Sequence, residues 1–318
     1  MNSGDLLIMS KIEHFCIGNK NHIFLEGINL GAAITKLWVL DKFGKPRNVV
    51  VGFDILGHYK NNPNYLGVVV GRFANRLRNA RFDWDGVEIK LQANQLDKHS
   101  LHGGHDGFHC KMWNLKYLTQ ESVTLQYFSK HGEAGFPGNI DVEITYKIIE
   151  NNIEIIFKAT SDRRTPLNLT QHSYFNLNGE GTIETHELRV PSDEFIETDH
   201  ELVPTGRIIP LPSNIDFNSS KSLKNICAHG GLDHYFLLNI QNEKVDLFSV
   251  ESGIRMKLQT NYPGLQIYSG QGLAIPFNGI CLEAHDFPDS LHHPHFSQSV
   301  VEPLQNFERR IILEFSQI

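Results

Sequence analysis

The 318-residue sequence predicts an all-β fold, a single large antiparallel β-sandwich spanning residues 1–318. Three observations predict it. Short runs with period-two alternation recur along the chain, Gly, Pro and Asn punctuate them, and helical periodicity is scarce. Forty per cent apolar and twenty per cent charged residues describe a globular protein able to bury a substantial core. The net charge of -7 argues against a nucleic-acid partner.

The N-terminal stretch "MNSGDLLIMSK" has no basic region, and its apolar run stops after Leu6–Met9. Residues 1–10 are therefore expected to be a loose extension, not a secretory signal, and no segment reads as a membrane span. Cys16, Cys110, Cys227 and Cys281 lie far apart and form no C-x-x-C pair. Such spacing points to reduced thiols and a cytoplasmic protein.

Strand signals follow in order at "GVEIKLQ", "SVTLQYF", "HELRV", "YFLLNI" and "RMKLQT". Between the second and third, "IDVEITYKIIENNIEIIFKAT" alternates through Val142, Ile144, Tyr146 and Ile148, then through Ile153, Ile155 and Phe157. Asn tolerates positive φ, so a tight hairpin is expected at Asn151-Asn152. "SLKNIC" reads as one short helix.

"LNLTQHSYFNLNG", Leu167 to Gly179, reads as a strand with an apolar face and a row of Asn168, Thr170, His172, Tyr174 and Asn176 on the other. Such a row either meets bulk water or lines a cleft holding something polar. In "GICLEAHDFPDS", alternation sends Ile280, Leu282 and Ala284 to one side and Cys281, Glu283 and His285 to the other. Taken alone, that segment is read most simply as carrying a solvent-facing Glu283. His172 titrates near neutrality, so it can supply a proton that most side chains cannot.

Three patches add polar groups to Gly-rich turns. "GRFANRLRNARF" gathers Arg72, Asn75, Arg76, Arg78 and Arg81, which taken alone is a basic surface loop. "LHGGHDGFH" is a flexible turn or a metal site, and "GGLDHYF" offers Asp233 and His234 at the start of a strand. No G-x-G-x-x-G, Walker loop, G-x-S-x-G or H-E-x-x-H occurs, which lowers nucleotide, serine-hydrolase and zinc-protease readings. The His-rich "LHHPHF" lacks ligands at a recognised spacing and reads as a loop.

Together these segments resemble the aldose 1-epimerases, or galactose mutarotases. The similarity begins at "NLGAAITKLWVLDKFGK" and continues through "GVVVGRFANRL", "SLHGG", "GFPGN", "NLTQHSYFNL", "GLDHYF", "PGLQIYSG" and "CLEAHDFPDS". Each carries little alone; their shared order over nearly the whole chain carries the resemblance. It implies a β-supersandwich and interconversion of the α and β anomers of a free aldose, with no cofactor and no metal. His172 then matches the general acid and Glu283 the general base. Asn75, Arg76, His102, Asp233 and Gln266 match substrate-contacting positions, and Tyr174 is expected beside them. A monomer or homodimer is expected, with a monosaccharide as the only partner.

That chemistry suits those residue types. A cyclic hemiacetal opens when its anomeric hydroxyl loses a proton while the ring oxygen gains one, which needs a base and an acid on one pyranose. A bell-shaped pH profile follows, rising with Glu ionisation and falling as His172 deprotonates. The sequence also departs from the family: Gln171 stands where Asn is common, His285 where Gln is expected, "NYPG" where an acidic residue or Gln often precedes Pro, and the Gly270–Gly279 segment is short. Three alternatives stay open. One is a non-catalytic carbohydrate-binding protein on the same fold. Another is a glycoside hydrolase pairing Asp233 with Glu283. The third is an epimerase for phosphorylated hexoses using Arg72, Arg78 or Arg81.

Overall fold

Alternating apolar residues organise two large antiparallel sheets around one core. The structure, a computed structural model, describes residues 11–239 and 244–318, so the expected N-terminal extension lies outside the described residues. One sheet has nine strands. Its spatial order is Asn114–Leu118, Ser122–Ser129, Ile140–Ile149, Asn152–Ser161, Phe307–Gln317, Ile254–Thr260, Val245–Ser249, His186–Arg189 and Lys221–Ser222. The other has seven, in the order Pro204–Pro210, Glu194–Thr198, Asp233–Leu237, Gly264–Tyr268, Ile280–His285, Tyr174–Phe175 and Val50–Val51. A four-stranded sheet of His14–Gly18, Phe24–Ile28, Ala33–Leu40 and Pro46–Asn48 packs on this core.

The period-two sets meet in the middle. Val142, Ile144, Ile155 and Phe157 of the nine-stranded sheet join Phe236, Leu265, Ile267, Leu282 and Ala284 of the seven-stranded sheet in one cluster. Each such side chain stabilises the fold by about 1.5–3 kcal/mol relative to an exposed one. Lys224–Ala228 is the one α-helix among the described residues, where "SLKNIC" was expected to form one. Among the described residues, no helix is long and apolar enough to cross a membrane.

Two expectations are corrected. The hairpin turns one residue early, at Glu150-Asn151, so that Asn152 pairs with Ile149 and Glu150 takes the positive φ of 52°. The Asn151 carbonyl is then free to accept the Phe315 N–H at 2.9 Å. The stretch from Leu167 to Gly179 is not one strand; it contains only the short pairs Thr170–Gln171 and Tyr174–Phe175. Both of its faces are buried, and the polar row divides: Asn168 and Asn176 satisfy backbone groups, while His172 and Tyr174 line a cleft. Asn168 accepts the Asp286 N–H (2.9 Å) and donates to the Asp286 carbonyl (3.0 Å). Asn176 donates to the Asn278 carbonyl at 2.8 Å. These bonds fix the segment against both ends of strand Ile280–His285.

Candidate active site

The seven-stranded sheet builds the floor of a cleft by register. Antiparallel pairing aligns Asp233 with Tyr268 and Cys281, then Tyr235 with Gln266 and Glu283, then Leu237 with Gly264 and His285. Directly opposed residues share a face, and the intervening Phe236, Leu265, Ile267, Leu282 and Ala284 enter the core. Glu283 is only 2% exposed, so the solvent-facing reading of its segment is wrong. Alternation had put it on the correct face, but that face is roofed by loops.

Those loops bring Asn75, Arg76, His102, His172 and Tyr174 over Asp233, Gln266 and Glu283, and all eight line one cleft of about 380 Å³. The loop backbones are unusual there. Tyr65, Asn75, His102 and Leu202, all cleft-lining, have φ of 55°, 65°, 54° and 62°. Such conformations cost about 1–3 kcal/mol each and persist only where the surroundings over-determine them. Gly103 shows how tight the turn is: a Cβ there would lie 1.9 Å from the Gly71 carbonyl oxygen.

A continuous network holds one wall. Arg76 faces Asp233 at 3.3 Å and donates from Nε to Gln95 at 3.1 Å. Gln266 donates to Asp233 and accepts from Asn75 Nδ2 at 3.0 Å. Asp233 is thus engaged by two donors, Arg76 and Gln266.

His102 accepts the Asn75 backbone N–H at Nδ1 (3.2 Å), so its neutral ring carries hydrogen on Nε2. The ligand-capable atoms of His102, His172 and Glu283 lie within 4.8 Å of one another. Metal binding needs an imidazole lone pair, and that of His102 is already used by Asn75. Of the three histidines in "LHGGHDGFH", only His102 lines the cleft.

His172 is wedged among the rings of His102, Tyr174 and Tyr65, with centroids 5.2, 5.2 and 5.7 Å away. Its Nε2 lies 3.5 Å from Glu283 Oε1, and its Nδ1 lies 3.4 Å from Cys281 Sγ. Glu283 Oε2 is buried and has no protein partner. Burial, reinforced by the nearby Asp233 carboxylate and opposed by Arg76, holds Glu283 well above the ordinary carboxylate range. Burial holds His172 below the usual histidine range. His285 is also buried; its Nδ1–H donates to the Asp286 carbonyl (2.6 Å), and burial pushes it down to about 4. It therefore brings no charge to the carboxyl near neutral pH.

Other predicted groups have different tasks. The Tyr174 hydroxyl donates to the Asn64 carbonyl (3.0 Å), so this residue lends the cleft a ring wall. Arg72 is buried and surrounded by acceptors including the Pro137 and Gly138 carbonyls, each at 2.9 Å. Arg78 engages Asp199, and Arg81 engages Glu88. None of the three lines the cleft, and the basic-surface reading fails for Arg72. In "LHHPHF", Ser290–His292 forms a 3-10 turn in which His292 contacts Asp289. Tyr65, Gln95 and Leu202 were not anticipated. Tyr65 and Leu202 owe their positions to positive-φ turns with no glycine to mark them, and Gln95 acts only through Arg76.

Buried neutral histidines also set an acid limit on stability. His109, His186 and His285 are pushed by burial down to about 4, and His172 to about 3. The unfolded chain binds protons near pH 6.5 that the folded chain refuses. Stability is therefore full above about pH 6.5 and falls as pH drops toward 4, by up to about 1.4 kcal/mol per pH unit for each such histidine. Glu283 has the opposite sign but is one group. Thermal melts at pH 7 and pH 5 are expected to show a clear fall in midpoint; equal midpoints would contradict the neutral burial.

A carboxyl–imidazole pair beneath hydrogen-bonding walls that include the Arg76–Asp233 ion pair, set on a large β-sandwich, suits acid–base chemistry on a small polyhydroxylated molecule. Residues 13–314 match the family model described as aldose 1-epimerase. Galactose mutarotase of Mus musculus is 36% identical over 320 aligned positions, covering 93% of this chain and 92% of its own. Aldose 1-epimerase of Haemophilus influenzae is 35% identical, covering 78% and 79%. A crystal structure of an aldose epimerase homologue from C. elegans superposes with a TM-score of 0.93 at 28% identity, covering 97% of this chain and all of that one. The chain belongs to the aldose 1-epimerase family.

Proposed function

We propose that this protein interconverts the α and β anomers of free aldoses such as galactose and glucose, with Glu283 and His172 sharing one catalytic proton. The observation that carries the reading is the 3.5 Å approach of His172 Nε2 to Glu283 Oε1 on the floor of the cleft. Burial disfavours the charged form of each group, raising Glu283 and lowering His172, so in this reading the pair holds one proton, seated on the carboxyl. Moving that proton to His172 gives a carboxylate and an imidazolium with no change in net charge. Glu283 then takes the proton of the anomeric hydroxyl, His172 gives one to the ring oxygen, and the C1–O5 bond breaks. Rotation about C1–C2 presents the other aldehyde face, and closure returns both protons. Asn75, Arg76, His102, Asp233 and Gln266 hold the sugar's hydroxyls, supplying the positional part of the catalysis.

This protonation differs from the expectation of a bell centred between ordinary Glu and His values. With Glu283 raised and His172 lowered, the one-proton pair persists over a wide middle range, and activity is expected to plateau there. The direct test is polarimetry of freshly dissolved α-galactose and α-glucose, extended to xylose and arabinose to rank substrates. Accelerated, saturable relaxation of rotation is expected; saturable sugar binding without acceleration would make the chain a binding protein.

A further inference from the structure

Strand Ile280–His285 presents two side chains to the His172 ring. Cys281 and Glu283 are two residues apart on one face, about 7 Å along the strand, and the imidazole bridges that step. One nitrogen faces the carboxyl and the other faces Sγ at 3.4 Å. Cys281 is fully buried, and desolvation with the neighbouring Glu283 keeps it a thiol. Its backbone is fixed as well, because it pairs with both Tyr174 and Tyr268 across the sheet. The ring contacts around His172 come from aromatic faces and edges; its own backbone carbonyl also bonds the imidazole, and Cys281 Sγ is the one side-chain atom among the described residues within hydrogen-bond range of its Nδ1.

We infer that Cys281 is a positioning residue for the reaction: its sulfur accepts the His172 Nδ1–H and so keeps the Nε2 lone pair turned toward Glu283 Oε1. The inference rests on the reading of His172 and Glu283 as the proton-carrying pair. A histidine ring is oriented by what its second nitrogen binds, and carboxylates or carbonyls usually fill that role. A thiol is an uncharged, weak acceptor. It selects the tautomer without stabilising the imidazolium strongly, so the proton returns readily to Glu283. A carboxylate at this place would trap the charge on the ring.

The test uses Cys281→Ala and Cys281→Ser in the full chain. The alanine variant is expected to lose about tenfold or more in kcat with KM within about twofold, as for other partners that orient a functional histidine. The serine variant, which keeps an acceptor, is expected to recover most of that loss. Nitrogen NMR of the His172 imidazole supplies a readout that packing alone would not move: hydrogen on Nδ1 in the unmodified chain and the serine variant, and a mixture of tautomers in the alanine variant. A neutral His172 carrying its hydrogen on Nε2 in the unmodified chain would overturn the inference even if neither variant folded. So would alanine kinetics equal to those of the unmodified chain, or a loss that serine does not rescue. If Cys281→Ala is normal while Glu283→Gln is inactive, only this inference fails. If Glu283→Gln turns over normally, the proton-pair reading fails first.

Discussion

Glu283→Gln is expected to lower kcat for mutarotation by about 10²–10⁴-fold, the usual worth of a positioned proton carrier, while sugar affinity stays within about threefold. The asymmetry follows from the geometry. Glu283 Oε2 has no protein partner and Oε1 faces His172, so the carboxyl supports no strand pairing or loop anchor. An amide of the same shape keeps the floor of the cleft intact but can neither take the hydroxyl proton nor hand one to the imidazole. The proposed sugar contacts, Arg76, Asp233 and Gln266, form a network that does not pass through Glu283. Burst-free polarimetry together with calorimetric sugar titration separates the two effects. Turnover near that of the unmodified enzyme would remove Glu283 from the chemistry.

His172→Gln is expected to lose about 10²–10⁴-fold in kcat, because no other group in the cleft is placed to take over the proposed donation to the ring oxygen. His102 is near, yet its Nδ1 is tied to Asn75 and burial, with His172 and Arg76 adding to it, holds the ring well below the usual histidine range. It donates a hydrogen bond but does not cycle a proton. The Gln side chain leaves part of the volume enclosed by Tyr65, Tyr174 and His102 unfilled, so some loss of thermal stability is expected in addition. Measuring kcat below the unfolding transition distinguishes lost chemistry from lost fold. A variant that stays folded and retains more than a tenth of normal kcat would contradict the assignment.

The cleft floor was legible in the sequence because strict alternation over Ile280–His285 determines which side chains share a face. What alternation could not show was burial. It ranks faces, but it does not reveal that segments at residues 63–65, 75–76 and 101–102 close over the polar one. The stretch from Leu167 to Gly179 misled for the same reason. Its polar row satisfies buried backbone groups through Asn168 and Asn176, and only His172 and Tyr174 of that row reach the cleft. Tyr65 was hidden because a positive φ at a tyrosine leaves no compositional mark. The opposite shifts of Glu283 and His172 were invisible as well, since they arise from desolvation created by the whole fold.

The most direct measurement of a shared proton is a double-mutant cycle on kcat with Glu283→Gln, His172→Gln and the combined variant. Two groups that pass one proton between them fail together, so the double variant is expected within about tenfold of the worse single variant. Losses that multiply, toward about 10⁴–10⁸-fold for two independent proton carriers, would show that the imidazole and the carboxyl do not act as one unit.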